Sequence, residues 1–281
     1  MEQAVVWMRT ACEFDPLAVE VAFGGTGAPL PAWELALDPQ HVIALHGKID
    51  RIDIHRDANT GDVWCLVVDY KSSPTILQDR LVTHGLQLQL PAYLAALTHL
   101  APGRLNVNAR GWMPAGMFYA PLRGAESTAS NRAKAAAEAA EKRREAHRHR
   151  GCFRADALPK LDNLHDQNQP SGQFQSSRRG QSPRSYKDML SPEEFLRKLD
   201  AVENTIRTFG RRILAGDVRV DPCALTSSKL ACDQCGYAAI CRINPWTHVY
   251  RRLSGRHPPN SAQGGVATGA SSVADGGLEP V

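Results

Sequence analysis

Apolar residues crowd the run Val63-Trp-Cys-Leu-Val-Val68, as in a strand buried on both faces. The run ends on Asp69-Tyr-Lys71, and strand alternation sends Asp69 and Lys71 to one face and Tyr70 to the other. Upstream, Val42-Ile-Ala-Leu-His-Gly-Lys-Ile-Asp50 alternates and closes on a second acid. The turn-rich stretch Arg56-Asp-Ala-Asn-Thr-Gly-Asp62 predicts a hairpin that brings Asp50 towards Asp69 and Lys71. Residues 1–13 read as a short helix or frayed start, and Phe14–Gly24 as an edge segment. Gly85–Leu97 reads as a helix starting near Gln87, with Leu90, Leu94 and Leu97 on its apolar stripe and Gln89 and Tyr93 sharing a face. Trp112–Leu122 is a further core strand in which Trp112, Phe118 and Tyr119 serve packing.

The pattern then changes. Ala129–Arg150 is a basic helix with no continuous apolar face, read as solvated, with a nucleic-acid contact as the alternative. Cys152–Ser185 is poor in apolar residues and reads as a long, poorly ordered loop. Ser191-Pro-Glu-Glu194 forms a capping box. It opens a helix striped by Phe195, Leu199, Val202, Ile206, Phe209 and Ile213, with Gly216 as its stop. The Gly-, Ser- and Pro-rich tail after Ser254 reads as disordered. Four stretches result: a core over 1–122, an insert over 123–190, a helix with a cysteine cluster over 191–253, and a tail over 254–281.

Two carboxylates and a lysine at one sheet edge suit a hard divalent cation such as Mg²⁺, with the lysine touching the attacking water or a phosphate. A structural ion pair is the bland alternative. Of the seven cysteines, four fall between Cys223 and Cys241, and Cys232, Cys235 and Cys241 are spaced C-x₂-C-x₅-C. Thiolates at that spacing suit Zn²⁺ or an iron–sulfur cluster, and zinc is favoured on spacing alone. The alternative is reduced thiols packed in a core.

Gly47-x-Ile-Asp-Arg-Ile-Asp53 followed by Val68-Asp-Tyr-Lys71 resembles the PD-(D/E)XK nuclease core of the RecB and AddB type. Gln89-x-x-x-Tyr93 resembles the motif that follows the catalytic lysine in that family, Ala115-Gly-x-Phe-Tyr119 an AddB strand, and Gly236–Arg242 the end of the AddB iron–sulfur motif. The resemblance implies an α/β fold of restriction-endonuclease type: a mixed central sheet flanked by helices, with a small C-terminal cysteine-ligated segment. It implies a Mg²⁺-dependent deoxyribonuclease, an exonuclease, acting in DNA end processing and double-strand-break repair and leaving 5′-phosphate and 3′-hydroxyl ends. Asp50, Asp69 and Lys71 would be catalytic, with Glu20, Gln89 and Tyr93 in support. Asp50, Asp69 and the Tyr70 carbonyl would hold the metal, while Asp53, Arg51 and His46 would support, pack or lie exposed. A [4Fe–4S] cluster would sit on Cys232, Cys235 and Cys241; the family's fourth ligand lies upstream, and Cys223, nearer in sequence, is the candidate to substitute for it. The family's upstream helical region, which carries a first cluster cysteine, precedes the point where this sequence begins, and Cys12 sits in the wrong context to replace it.

Composition changes this little. The net charge of +4 is compatible with DNA, and no apolar run is long enough to span a bilayer. A cytoplasmic location is expected. No Gly-x₄-Gly-Lys-Ser/Thr loop occurs, so ATP hydrolysis would fall to a helicase partner of the AddA or RecB, UvrD-like kind. Two alternatives stand beside the nuclease: an inactive DNA-end-binding or subunit-bridging module, and a zinc-ribbon-like regulator.

Overall fold

In the computed structural model, strands of two to ten residues assemble a mixed six-stranded sheet. The structure describes residues 2–123, 131–164, 172–174, 176–177, 185–186, 188–225, 230–244 and 248–253. The expected disordered tail, and most of the expected loop beyond residue 164, lie outside them.

Helix α1 (Glu2–Thr10) leads into β1 (Asp15–Phe23). Strands β2 (Trp33–Ala36) and β3 (Val42–Leu45) pair only with each other. Strands β4 (Gly47–Arg56) and β5 (Val63–Lys71) form the expected antiparallel hairpin. Asp57 shapes its turn by accepting from the amide of Asn59 at 2.9 Å. Helices α2 (Asp79–Thr83) and α3 (Gln89–Leu100) then carry the chain to β6 (Trp112–Pro121), which lies parallel to β5. After α4 (Arg132–Ala146), β7 (Arg150–Arg154) pairs antiparallel with β6. Helix α5 is the single turn Leu158–Leu161. Residues Met189–Leu190 add a short edge strand beside β7, and α6 follows as Pro192–Leu214. Spatial order across the sheet is β1, β4, β5, β6, β7 and Met189–Leu190.

Both faces of the sheet are covered, which is why β5 reads as a continuous apolar run rather than an alternating one. On one face Ile52, Ile54, Cys65 and Val67 pack under Leu90, Leu94 and Leu97 of α3 and under Phe195, Leu199, Val202 and Ile206 of α6. On the other, Leu66, Val68 and Phe118 meet Phe14, Leu158 and Leu161. Among the described residues no helix is long and apolar enough to cross a membrane.

The capping box is present: the Glu194 amide donates to Ser191 Oγ at 3.2 Å, and the Ser191 amide to Glu194 Oε2 at 3.1 Å. Helix α6 stops at Leu214, just before Gly216, whose φ is +68°. Its stripe is buried as far as Ile206, but Ile213 is 72% exposed because the last turns run past the sheet. Gly85 is the tightest point beneath this helix. Its φ is +75°, and a Cβ there would lie 2.3 Å from the Phe209 ring. Gly85→Ala should therefore destabilise the chain by roughly 2 kcal/mol through backbone strain and overpacking. A denaturant titration checks this; an unchanged midpoint would contradict it.

Three sequence expectations need correction. The alternating run over Val42–Asp50 is not one strand: it changes partners after Leu45, and β4 continues past Asp50 to Arg56. Helix α3 begins at Gln89 rather than near Gln87. Residues 152–164 are an ordered part of the core rather than a loop, and Arg150 opens β7 rather than ending the basic helix, with Phe153 fully buried. Phe153 packs with Phe118 and Phe174 at ring separations of 6.2 and 5.1 Å. One large aromatic inside a five-residue strand leaves no periodicity to detect, yet burying such a ring contributes roughly 2 kcal/mol or more.

Candidate active site

Strand alternation decides where most polar groups at this sheet edge point. In β5, Cys65 and Val67 face the α3 core, so Asp69 and Lys71 emerge on that same face, at its open end. In β4 the alternation breaks. Ile49 and Ile52 face the same core although three positions apart, as do Ala18 and Val21 on the neighbouring β1. The reversal falls at Asp50 and Glu20, and Glu20 has φ +53°. Such a conformation costs about 1–3 kcal/mol in a non-glycine residue. Freed from the regular pleat, the Asp50 carboxylate turns to β5 and accepts from the Tyr70 amide at 2.9 Å. Asp50 thus replaces a ladder carbonyl one step beyond the last registered pair, Arg51 with Val68.

Asp69 is 2% exposed. Burial pushes its carboxyl up, the Lys71 ammonium pulls it back down, and the Asp50 charge raises it again. Its Oδ2 is buried, sits 2.6 Å from Lys71 Nζ, and lacks a partner in proper hydrogen-bond geometry. A buried carboxylate oxygen in that state, with a second carboxylate in electrostatic contact, fits a hard cation. Among the described residues no third His, Cys, Asp or Glu joins the pair. That suits Mg²⁺, which commonly keeps several waters and takes one or two carboxylates.

Lys71 is fixed from three sides. Beyond Asp69, it donates to Gln89 Oε1 at 3.2 Å and stands 5.5 Å from the centre of the Tyr119 ring. Gln89 Nε2 in turn donates to the Tyr93 hydroxyl at 3.3 Å, as residues four apart on one helix can. The Tyr119 hydroxyl is pushed up to about 12, first by burial, then by the Asp69 charge, against a hydrogen bond from Gln87. Gln87 also fastens the segment after Lys71, accepting from the Gln78 amide at 2.9 Å and donating to the Ile76 carbonyl at 3.0 Å.

The glycine of the Gly47-x-Ile-Asp50 motif has a steric purpose. A Cβ at Gly47 would stand 2.6 Å from the Phe23 ring and 3.0 Å from the Tyr93 ring. Those rings meet edge to face at 6.0 Å, and only a missing side chain lets them close over β4.

The structure therefore brings together Asp50, Asp69, Lys71, Gln89 and Tyr93. Glu20 stays at the rim, where the exposed Lys48 ammonium holds its carboxylate. Arg51 and Asp53 form a buried pair near Tyr70 and Met8, with Arg51 Nε and Nη2 donating to the two Asp53 oxygens at 2.7 and 2.5 Å. Arg51 Nη1 also donates to the Tyr70 hydroxyl at 2.9 Å. This pair occupies the opposite side of the sheet from Lys71, with Leu66 and Val68. His46 is exposed. Three neighbours of the site escape the sequence pattern. Lys48 lies within electrostatic reach of Asp50 and Tyr93, Tyr119 reads as packing alone, and Gln87 only as a helix start. Lys48 carries a detectable signal, being a charged residue inside the motif itself.

Away from the sheet, Cys223 is buried, Cys232 and Cys241 are half-buried, and Cys235 is exposed. Burial raises the Cys232 thiol, and the charges of Cys235, Cys223 and Cys241 raise it further, so all four sulfurs are electrostatic neighbours. Among the described residues no three of them converge on a common point. Cys65 and Cys152 belong to the sheet core, while burial pushes the Cys12 thiol up to about 12.

Comparison with known proteins gives matches at the level of the family. The family model described as the PD-(D/E)XK nuclease superfamily matches residues 2–242. The chain is 35% identical over 245 residues to a Moorella thermoacetica protein named as a subunit of an ATP-dependent helicase/deoxyribonuclease, covering 86% of this chain and 20% of that one. A Symbiobacterium thermophilum protein of the same name is 30% identical over 267 residues, covering 92% of this chain and 22% of its own length. One from Natranaerobius thermophilus is 28% identical over 249 residues, covering 86% and 20%. The chain spans about a fifth of the length of these curated relatives.

Proposed function

Because the chain belongs to the PD-(D/E)XK nuclease superfamily, we propose that it hydrolyses DNA phosphodiesters as the nuclease part of a helicase–nuclease, using Mg²⁺. The observation that carries this reading is the meeting of Asp50, Asp69 and Lys71 at one open sheet edge, with a buried Asp69 oxygen whose close neighbour is the Lys71 ammonium.

In this reading Asp50 and Asp69 hold the cation, with the Tyr70 carbonyl as a further oxygen donor. When bound, the ion polarises the scissile phosphate and lowers the pKa of a water. The chain's own residues do the rest. Lys71, held by Gln89, orients that water and stabilises charge developing on the phosphate. Tyr93 supports Gln89, and the Tyr119 ring of β6 backs Lys71. Lys71 lies against Asp69, so the carboxylate that would hold the ion also positions the amine.

A helicase partner of the AddA kind is in keeping with the names of the relatives. Exonucleolytic action and end processing in double-strand-break repair extend the same reading, on the strength of the motif resemblance. The four thiols of Cys223, Cys232, Cys235 and Cys241 are proposed to hold an iron–sulfur cluster rather than zinc, supported by the charges of the other three all reaching Cys232 and by the likeness of Gly236–Arg242 to the cluster motif. A broad visible absorption in anaerobically purified protein, lost in Cys232→Ser, checks that assignment; a colourless zinc-containing protein would contradict it.

The nuclease test is cleavage of end-labelled linear duplex in Mg²⁺ and in EDTA. The parent should cut only with metal, and Asp69→Asn should lose cleavage roughly 100-fold or more while still binding DNA. Binding without cleavage in the parent would instead support an end-binding or bridging module.

A further inference from the structure

A row of registered residues leads away from the two carboxylates. Asp69 on β5 pairs with Tyr119 on β6, and Tyr119 pairs with Arg150 on β7. Registered partners project to the same face, and neighbouring strands stand about 4.8 Å apart. Arg150 therefore rises on the Lys71 side of the sheet, about 10 Å from Asp69. Cys152, two positions along β7, packs into the same core and fixes that direction.

A cavity of about 300 Å³ opens at this point. It lies between β7 and the segment after Lys71, so the same stretch of chain that leaves the catalytic lysine forms its wall. Ile76, Leu77 and Leu190 supply apolar surface, Gln78 a hydrogen-bonding edge, and Asp79 and Asp188 carboxylates. Lys198, also in the lining, is committed to Asp79 by a salt bridge. No ion pair or side-chain hydrogen bond ties Arg150 to another described residue. A half-buried guanidinium with no ion pair among the described residues costs desolvation, which a ligand's phosphate would offset.

We infer that this cavity is a subsite for the nucleotide next to the scissile phosphate, with Arg150 gripping that nucleotide's own phosphate. The inference rests on the nuclease reading, which puts the scissile group over Asp50 and Asp69. A strand crossing them along the row brings its neighbouring phosphate towards Arg150, where a planar fork binds two oxygens at once. The apolar wall then covers the sugar and one face of the base. Mixed lining of this kind suits a nucleoside better than a bare anion.

The test is equilibrium binding of the full chain to end-labelled DNA in EDTA, where metal-dependent cutting is suspended. A series of oligonucleotides carries one neutral methylphosphonate at successive positions from the end. The parent should lose affinity roughly tenfold at one position, the size of a charge-assisted hydrogen bond. Arg150→Ala should lose a similar factor on all-phosphate DNA and become indifferent to that position, and its salt slope should shrink by about 0.7–0.9. Arg150→Lys should fall between, which separates lost contact from lost fold. An Arg150→Ala chain that binds as the parent, or that keeps the parent's positional sensitivity, overturns the subsite, as does a folded parent that does not bind DNA. A parent that shows the linkage effect but never cuts in Mg²⁺ sinks the hydrolytic reading while supporting the phosphate contact.

Discussion

Lys71→Ala should lower the rate of Mg²⁺-dependent DNA cleavage by roughly 100- to 1000-fold, the loss expected for one preorganised charge at a developing oxyanion. The amine sits 2.6 Å from Asp69, 3.2 Å from Gln89 and 5.5 Å from the Tyr119 ring, so its position is set before substrate arrives. Removing it takes away the cation beside the scissile phosphate and leaves Asp69, already raised by burial, without the ammonium that offsets that burial. Stability should fall less than when a fully buried pair is broken, because the amine is partly exposed and Asp69 can take up a proton. The check is single-turnover cleavage alongside DNA affinity. Gln89→Ala should lose a smaller part of the same rate, since it only steers the amine. Equal cleavage by Lys71→Ala and the parent would remove Lys71 from the chemistry.

The largest effect on stability should come from the other acid of the same motif. Asp53→Ala leaves Arg51 buried with its guanidinium facing an empty place. Truncating one partner of a buried bidentate pair costs about 3–5 kcal/mol, a large share of what holds a domain together. Asp53 is 3% exposed, and burial pushes its carboxyl up against the pull of Arg51. The midpoint of thermal unfolding should fall by roughly 10 °C. Replacing both partners together, as Arg51→Met with Asp53→Leu, should recover most of that loss. Asp50→Asn should behave in the opposite way, keeping the fold and losing cleavage. If Asp53→Ala melted like the parent, the buried pair would have no structural weight.

These contrasts also explain what is legible in the sequence. Asp69 and Lys71 share a face because β5 alternates without interruption, and two-residue periodicity can be read from the chain alone. Gln89 and Tyr93 can be paired by helical spacing in the same way. The turn of Asp50 out of the regular pleat towards β5 cannot. Asp50 and Asp53, three residues apart on an ideal strand, already fall on opposite faces, but the break in alternation at Asp50 depends on β1 and on the positive φ of Glu20. Partners are set by register between segments far apart in sequence, and composition carries no record of it. That is why the run over Val42–Asp50 reads as one strand, and why β7 with Arg150 is lost between a basic helix and a polar loop. The resemblance of the short motifs supplies what periodicity cannot: that two acids and an amine belong to one reaction.

The central claim is that Asp50 and Asp69 together hold one divalent cation. Manganese binding to the full chain, followed by the loss of the free Mn²⁺ paramagnetic signal, measures it without needing turnover. The account predicts one site competed by Mg²⁺, weakened roughly tenfold or more in both Asp50→Asn and Asp69→Asn and retained in Asp53→Asn. Unchanged binding in the first two variants would contradict it.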